Sequence, residues 1–188
     1  MRIAITGPSG SGKTTLAAEL ARTVGLRHVE IDALHHGPNW ESCGEEVLHE
    51  RVLAATEGDG WVTDSTYHGM LGRLVVDRAE LLVWLDLPVP IVMWRLLRRT
   101  RVRTRDKTEL WNGNVEAGWR DALRYLVWPA LRRAFENRRE FPSRYADVRM
   151  HRLRSDDEVR AFVQSIRDCS RSGARHPLRG SQAPGAGR

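Results

Sequence analysis

Two short stretches of this 188-residue chain carry residue types at spacings that chemistry needs. The first, Gly7-Pro8-Ser9-Gly10-Ser11-Gly12-Lys13-Thr14, matches G-x-x-x-x-G-K-[ST] and lies between an apolar run and a helical segment. Glycines there let backbone N–H groups turn inward around phosphate oxygens, and the positive end of the following helix strengthens that attraction. Gly7, Ser9, Gly10, Ser11, Gly12, Lys13, Thr14 and Thr15 are therefore expected to bind a nucleotide. Lys13 should reach the β/γ-phosphates, and the Thr14 hydroxyl should ligate a Mg²⁺ that bridges them. ATP with Mg²⁺ is the expected pair, and a glycine-rich turn with a chance lysine is the bland alternative.

The second stretch is IDALHHGPNW, residues 31–40. It follows an apolar run, and in doubly wound sheets ligands bind beyond the carboxyl ends of strands. Asp32 there could orient a hydroxyl or phosphate acceptor or take its proton. His35 or His36 could contact an anionic group, and Trp40 could stack on a ring. The competing readings are a turn begun by Asp32 with solvated histidines and Trp40 capping the core, or a metal site. A metal site is disfavoured because adjacent histidines diverge and lack the same-face i, i+4 spacing of helical ligands.

Phosphoryl chemistry also calls for an acid near the metal. Asp64 ends WVTD and Asp86 ends LLVWLD, and spacing leaves both open. Further along, RLLRRTRVRTRDK (95–107) sets Arg95, Arg99 and Arg103 in an i, i+4 row. Like charges at that spacing repel by roughly 0.2–0.5 kcal/mol per pair, so the row points to an anion, bound by bidentate guanidinium forks, or else to a solvated face. Arg95, Arg98, Arg99, Arg103 and Arg120 are lid candidates, with Arg99 the one expected to act in catalysis. Arg124 is similarly placed, and Arg73, after WVTDSTY, is a candidate acceptor contact. Trp84 and Trp94 suggest packing only.

The elements that must position these groups are legible as alternating strands and helices. Strands are expected at 2–6, 27–32, 61–64, 81–86 and 147–153, giving an α/β fold with a parallel sheet covered on both faces. Ser42 with Glu45 and Ser155 with Glu158 fit capping boxes, and Pro90 suits a first helical turn. A helix over 90–103 should give way to a polar loop or lid at 104–114, and Pro129 should kink or divide a helix over 115–138.

One domain is expected over residues 1–170, with a lid at about 98–120, followed by a disordered tail over 171–188. Four arginines of that tail account for most of the net charge of +6, leaving the body near balance. This argues for a small-molecule enzyme more than for a dedicated nucleic-acid binder, though nucleic acid stays possible as a partner. No apolar run reaches membrane-spanning length and no leader pattern is visible, so a cytoplasmic location is expected. Cys43 and Cys169 lack any metal or redox spacing and are expected to be free thiols. Composition says nothing of oligomeric state.

Taken together, GPSGSGKTTLA, IDALHHGPNW, WVTDSTY, LLVWLDLP and ELWNGN resemble a family of small P-loop proteins similar to adenylate kinase and other nucleoside monophosphate kinases. This is the group known as DNA topology modulation proteins. The resemblance covers most of residues 1–155. It implies sheet order 2-3-1-4-5, an acceptor site after strands two and three, and an arginine-rich lid. It also favours Asp64 as the metal-shell acid, although Ser65 stands where those kinases usually have Gly. The activity it implies is transfer of the ATP γ-phosphoryl group to a small acceptor, with a nucleoside monophosphate first. A sugar-acid-like metabolite and an ATP-binding role on DNA are the alternatives.

Overall fold

A computed structural model of the chain describes residues 1–115, 132 and 138–172. Five parallel strands form one sheet: β1 (Arg2–Thr6), β2 (Arg27–Val29), β3 (Trp61–Thr63), β4 (Leu81–Leu85) and β5 (Met150–Leu153). Their order is β2-β3-β1-β4-β5, and all ladders are parallel. Strand β4 is apolar at every position and β1 over Ile3–Ile5, because both faces of the sheet are covered, and alternation sorts their side chains. Ile3, Ile5, Leu81, Val83 and Leu85 pack with Leu16 and Leu20 of helix α1 (Lys13–Val24) and with Phe162 and Ile166 of the last helix, α7 (Asp156–Ser172). Ala4, Leu82 and Trp84 face the other way, onto Leu48, Val52, Leu71, Val75, Phe141 and Tyr145.

Between β2 and β3 run helix α2 (Ile31–His35) and helix α3 (Glu45–Ala55). Helices α4 (His68–Leu71) and α5 (Leu74–Arg78) link β3 to β4, and helix α6 (Val89–Asp106) follows β4. Gly25 closes α1 in the left-handed region, its N–H returning to the Ala21 carbonyl, which carries the chain sharply into β2.

Several local expectations need correction. Strand two ends at Val29, and Asp32 sits in the first turn of α2 rather than at a strand end. Strand β5 begins at Met150, with residues 145–147 forming a turn ahead of it. Helix α6 continues to Asp106 and stops with Lys107 in the left-handed region, so the loop begins later than 104. Ser42 does not cap α3. The N-cap is Gly44, and the Ser42 hydroxyl instead accepts the Gly44 N–H at 3.4 Å. At α7 half of the box forms, with the Glu158 N–H on Ser155 Oγ at 3.1 Å, while the Glu158 carboxylate accepts the N–H of Arg154. Pro90 lies in the first turn of α6. Arg120, Arg124, the Pro129 kink and residues 173–188 lie outside the described residues. Among the described residues no helix is long and apolar enough to cross a membrane.

Candidate active site

The loop between β1 and α1 turns on itself through glycines. Gly7 (φ 151°) lies so close to β4 that a Cβ would stand 2.8 Å from the Leu85 carbonyl oxygen. At Gly10 (φ 87°) a Cβ would meet the Val92 carbonyl oxygen of α6 at 2.7 Å. Any side chain at either position would collide with backbone. Ser11 N–H closes the turn on the Pro8 carbonyl at 3.1 Å, and Lys13 Nζ donates to the same carbonyl at 3.1 Å. Thr14 and Thr15 are exposed in the first turn of α1, where free N–H groups face outward. The result is a cradle for phosphate oxygens with a cation at its mouth.

Asp64 closes that cradle from β3. The Thr14 hydroxyl donates to Asp64 Oδ2 at 2.7 Å, and the Ile31 N–H approaches Asp64 Oδ1 at 3.3 Å. His28 Nε2 lies 3.9 Å from the same carboxylate. Burial pushes the Asp64 carboxyl above its ordinary value, against the pull of the Thr14 hydrogen bond, and the neighbouring charge of Asp32 adds to the rise. A hydroxyl and a carboxylate side by side are hard oxygen donors of the kind Mg²⁺ takes together with water and phosphate. The donor set therefore fits that ion.

Asp86, the other candidate acid, is engaged elsewhere. Arg138 Nε donates to its Oδ1 at 2.6 Å, and Arg152 donates to Oδ2 through Nε at 2.9 Å and Nη2 at 2.5 Å. Arg152 also lies over the buried Trp84 ring, 4.3 Å from its centroid.

Beyond Asp64 lies the 31–40 stretch. Tyr67 donates its hydroxyl to Asp32 Oδ1 at 2.6 Å. Buried His35 packs 5.1 Å from the Tyr67 ring and 4.5 Å from His36, whose imidazole meets Trp40 edge-on at 5.3 Å. Burial lowers the His35 pKa, with His36 adding to the fall and Asp32 opposing it. Asp32, His35, His36 and Trp40 thus form one polar–aromatic cluster next to the cradle.

The arginines divide. Arg98 stacks on Trp94 at 5.4 Å, and Arg99 and Arg103 lie half-buried on α6, beyond the turn that packs under Gly10. Arg95 is tied to Asp156 at the start of α7 by a 2.6 Å contact. Arg73 binds Asp77 at 3.0 Å, Asp147 at 2.7 Å and the Arg144 carbonyl, and it lies over Tyr145. The geometry thus gives no support to Arg73 as an acceptor contact or to Arg95 as a lid group. Sequence reasoning missed Tyr67, although it ends the quoted WVTDSTY. It also missed His28, and the two arginines that bind Asp86 from 52 and 66 residues away.

Comparisons with known proteins bear on the fold that carries this site. The model of the ATPase family associated with various cellular activities (AAA) matches residues 3–60, which hold β1, the cradle and the Asp32 helix. A cytidylate kinase of Natronomonas pharaonis is 27% identical over 184 residues, covering 88% of this chain and 88% of that protein. Among solved structures, the shikimate kinase of Bacteroides thetaiotaomicron superposes with a TM-score of 0.54 at 17% identity, covering 89% of this chain and 97% of that one. The deoxyadenosine kinase of M. mycoides, with its products dCMP and dCDP bound, gives 0.51 at 14% identity, covering 93% and 100%. The chain has the α/β P-loop NTPase fold that these small-molecule kinases share.

Proposed function

We propose that the chain is an ATP-dependent kinase that moves the γ-phosphoryl group to a small acceptor, a nucleoside monophosphate, bound between the Asp32 helix and the end of β3. The observation that carries this reading is the pairing of two carboxylates with two roles. Asp64 is bonded to Thr14 inside the phosphate cradle, and Asp32 is bonded to Tyr67 just outside it.

In this reading the inward N–H groups of the 7–14 loop hold the phosphates, and Lys13 leaves the Pro8 carbonyl to stabilise charge on the group in transit. Thr14 and Asp64 would hold Mg²⁺, which when bound neutralises charge on the β- and γ-phosphate oxygens. Asp32, oriented by the Tyr67 hydroxyl, accepts a hydrogen bond from a hydroxyl of the monophosphate and so aims its phosphate oxygen, which needs no deprotonation to attack, at Pγ. A bond then forms between the acceptor oxygen and Pγ as the Pγ–O bond to ADP breaks. Arg98, Arg99 and Arg103 of α6 supply positive charge toward the acceptor phosphate and the transferring group. Similarity to a cytidylate kinase supports the nucleotide acceptor.

The test is an ATP-coupled turnover assay over nucleoside monophosphates, nucleosides and sugar acids. Turnover with a monophosphate supports the reading. Turnover only with a sugar acid moves the acceptor class, and ATP binding without any turnover, joined to salt-sensitive DNA binding, would replace it with a nucleic-acid role.

A further inference from the structure

Two loops distant in sequence meet beside Asp32. The first runs from His36 to Cys43. It is pinched by an antiparallel bridge between His36 and Ser42 and turns through Pro38–Trp40, with Asn39 (φ 58°) and Trp40 (φ 60°) both in the left-handed region. The second, residues 107–115, is pinched between Glu109 and Val115 and turns through Trp111–Gly113, with Asn112 at φ 57°. A bulky residue such as Trp at positive φ is strained and persists only where its surroundings hold it.

Asn114 does the holding. The residue is 3% exposed, and both ends of its amide are used on the other loop. Oδ1 accepts the Trp40 N–H at 2.9 Å, and Nδ2 donates to the Gly37 carbonyl at 2.9 Å. An N–H can only donate and a carbonyl can only accept, so the amide fits in one orientation and a carboxylate would repel the Gly37 oxygen. Asn112 adds a bond to the His36 carbonyl at 2.5 Å, and the Trp40 indole N–H donates to the Val115 carbonyl at 3.2 Å. Farther in, the Trp111 indole N–H donates to Glu30 Oε2 at 2.6 Å, just ahead of α2.

We propose that Asn114 is a positioning residue for the acceptor site. It fastens the loop after α6 to the loop after α2, so that His36 and Trp40 stand as a fixed wall beside Asp32. The inference rests on the acceptor reading of Asp32. Losing the two bonds and releasing the strained Trp40 backbone loosens that wall while leaving the phosphate cradle, built from other elements, as it was.

The test compares Asn114→Asp and Asn114→Ala with the parent. Because a buried substitution risks the fold, exposed Asn112→Gly serves as the milder variant, since glycine keeps the positive φ and removes only the amide. Amide hydrogen exchange is followed on peptides spanning residues 36–43, and acceptor KM, kcat and ATP Kd are measured separately. The expected result for Asn114→Asp is exchange at Trp40 faster by about tenfold and acceptor KM raised by about tenfold, as suits one lost hydrogen bond and a carboxylate set against the Gly37 oxygen. ATP Kd should stay unchanged and kcat should fall less than KM rises. Asn112→Gly should follow in the same direction and to a smaller extent. An unmoved acceptor KM with accelerated exchange would reduce Asn114 to a packing role and overturn the proposal. A matching loss of ATP affinity would overturn it too, by showing a general collapse. A parent that turns over no acceptor fails the kinase reading itself and takes this proposal with it, whereas an active parent with unmoved variants fails the proposal alone.

Discussion

Asp64 and Asp86 follow the two strands that flank β1, one after WVT and one after LLVWL, and both are buried, at 2% and 8% exposure. Their surroundings differ completely. Asp86 meets two guanidinium groups, which answer its charge and tie β4 to β5 and to the helical residues 138–144. Asp64 meets one hydroxyl, one N–H and, at 3.9 Å, the His28 imidazole, so that no guanidinium or ammonium answers its charge. A carboxylate paired in the fold is a clip. A carboxylate buried without a guanidinium or ammonium partner, next to a phosphate cradle, is an acid held ready for a cation, at some cost in stability.

The largest effect that would break or sharpen this contrast is on activity. Asp64→Asn should lower Mg²⁺-dependent turnover by about 10- to 100-fold, the scale seen when groups around a metal are lost. The same variant should melt no lower than the parent in metal-free buffer. Burial raises the Asp64 pKa above the ordinary 3.8, so the folded state binds the extra proton. Parent stability therefore falls as pH rises through the folded value, and the amide escapes that loss. A large drop in melting temperature would show that Asp64 is structural.

Asp86→Asn should do the reverse. Breaking a buried pair and stranding its partners costs about 3 kcal/mol, toward the low end because Arg138 and Arg152 keep 33% and 30% side-chain exposure. Denaturant unfolding measures this, and turnover per folded molecule should hold. Arg152→Leu removes one partner and the cation over Trp84 but leaves Arg138, so a smaller loss of about 1–2 kcal/mol is expected by the same measurement. A loss as large as that of Asp86→Asn would mean that Arg138 contributes nothing.

The smallest effect concerns pH on the acceptor side. Burial holds the His35 pKa below the ordinary 6.5, so in the window between the folded value and 6.5 the unfolded chain binds more protons. Stability should be unaffected above 6.5, decline as pH falls below it, and level off once the folded imidazole is charged. His35→Gln should flatten that part of a melting-temperature profile, and an unchanged profile would assign the acid loss to other groups.

What could be read from the chain beforehand was whatever depends on near neighbours. The cradle is eight consecutive residues, and the parallel sheet announces itself through strands apolar on both faces. Asp32, His35, His36 and Trp40 were legible as a group because they span nine positions. Partners chosen by the fold were not. Tyr67 reaches Asp32 across 35 residues, Arg152 reaches Asp86 across 66, and Asn114 reaches Gly37 across 77. Nothing local distinguishes Asp64 from Asp86 either, since each is an acid after an apolar run, and only the placement of β3 and β4 on opposite sides of β1 separates their roles. Arg73 misled for the same reason, because its proximity to WVTDSTY in sequence says nothing of Asp147, 74 residues on.

Phosphoryl transfer to an acceptor beside Asp32 is probed most directly by Asp32→Asn. ATP titration and single-turnover transfer to a nucleoside monophosphate are measured on the same preparation. The amide keeps the shape of the side chain while removing its charge and basicity, which separates chemistry from packing. Because Asp32 lies outside the 7–14 loop, transfer should fall far more than ATP affinity does. Weakened ATP binding with normal transfer at saturation would assign the residue to the nucleotide and contradict the acceptor site.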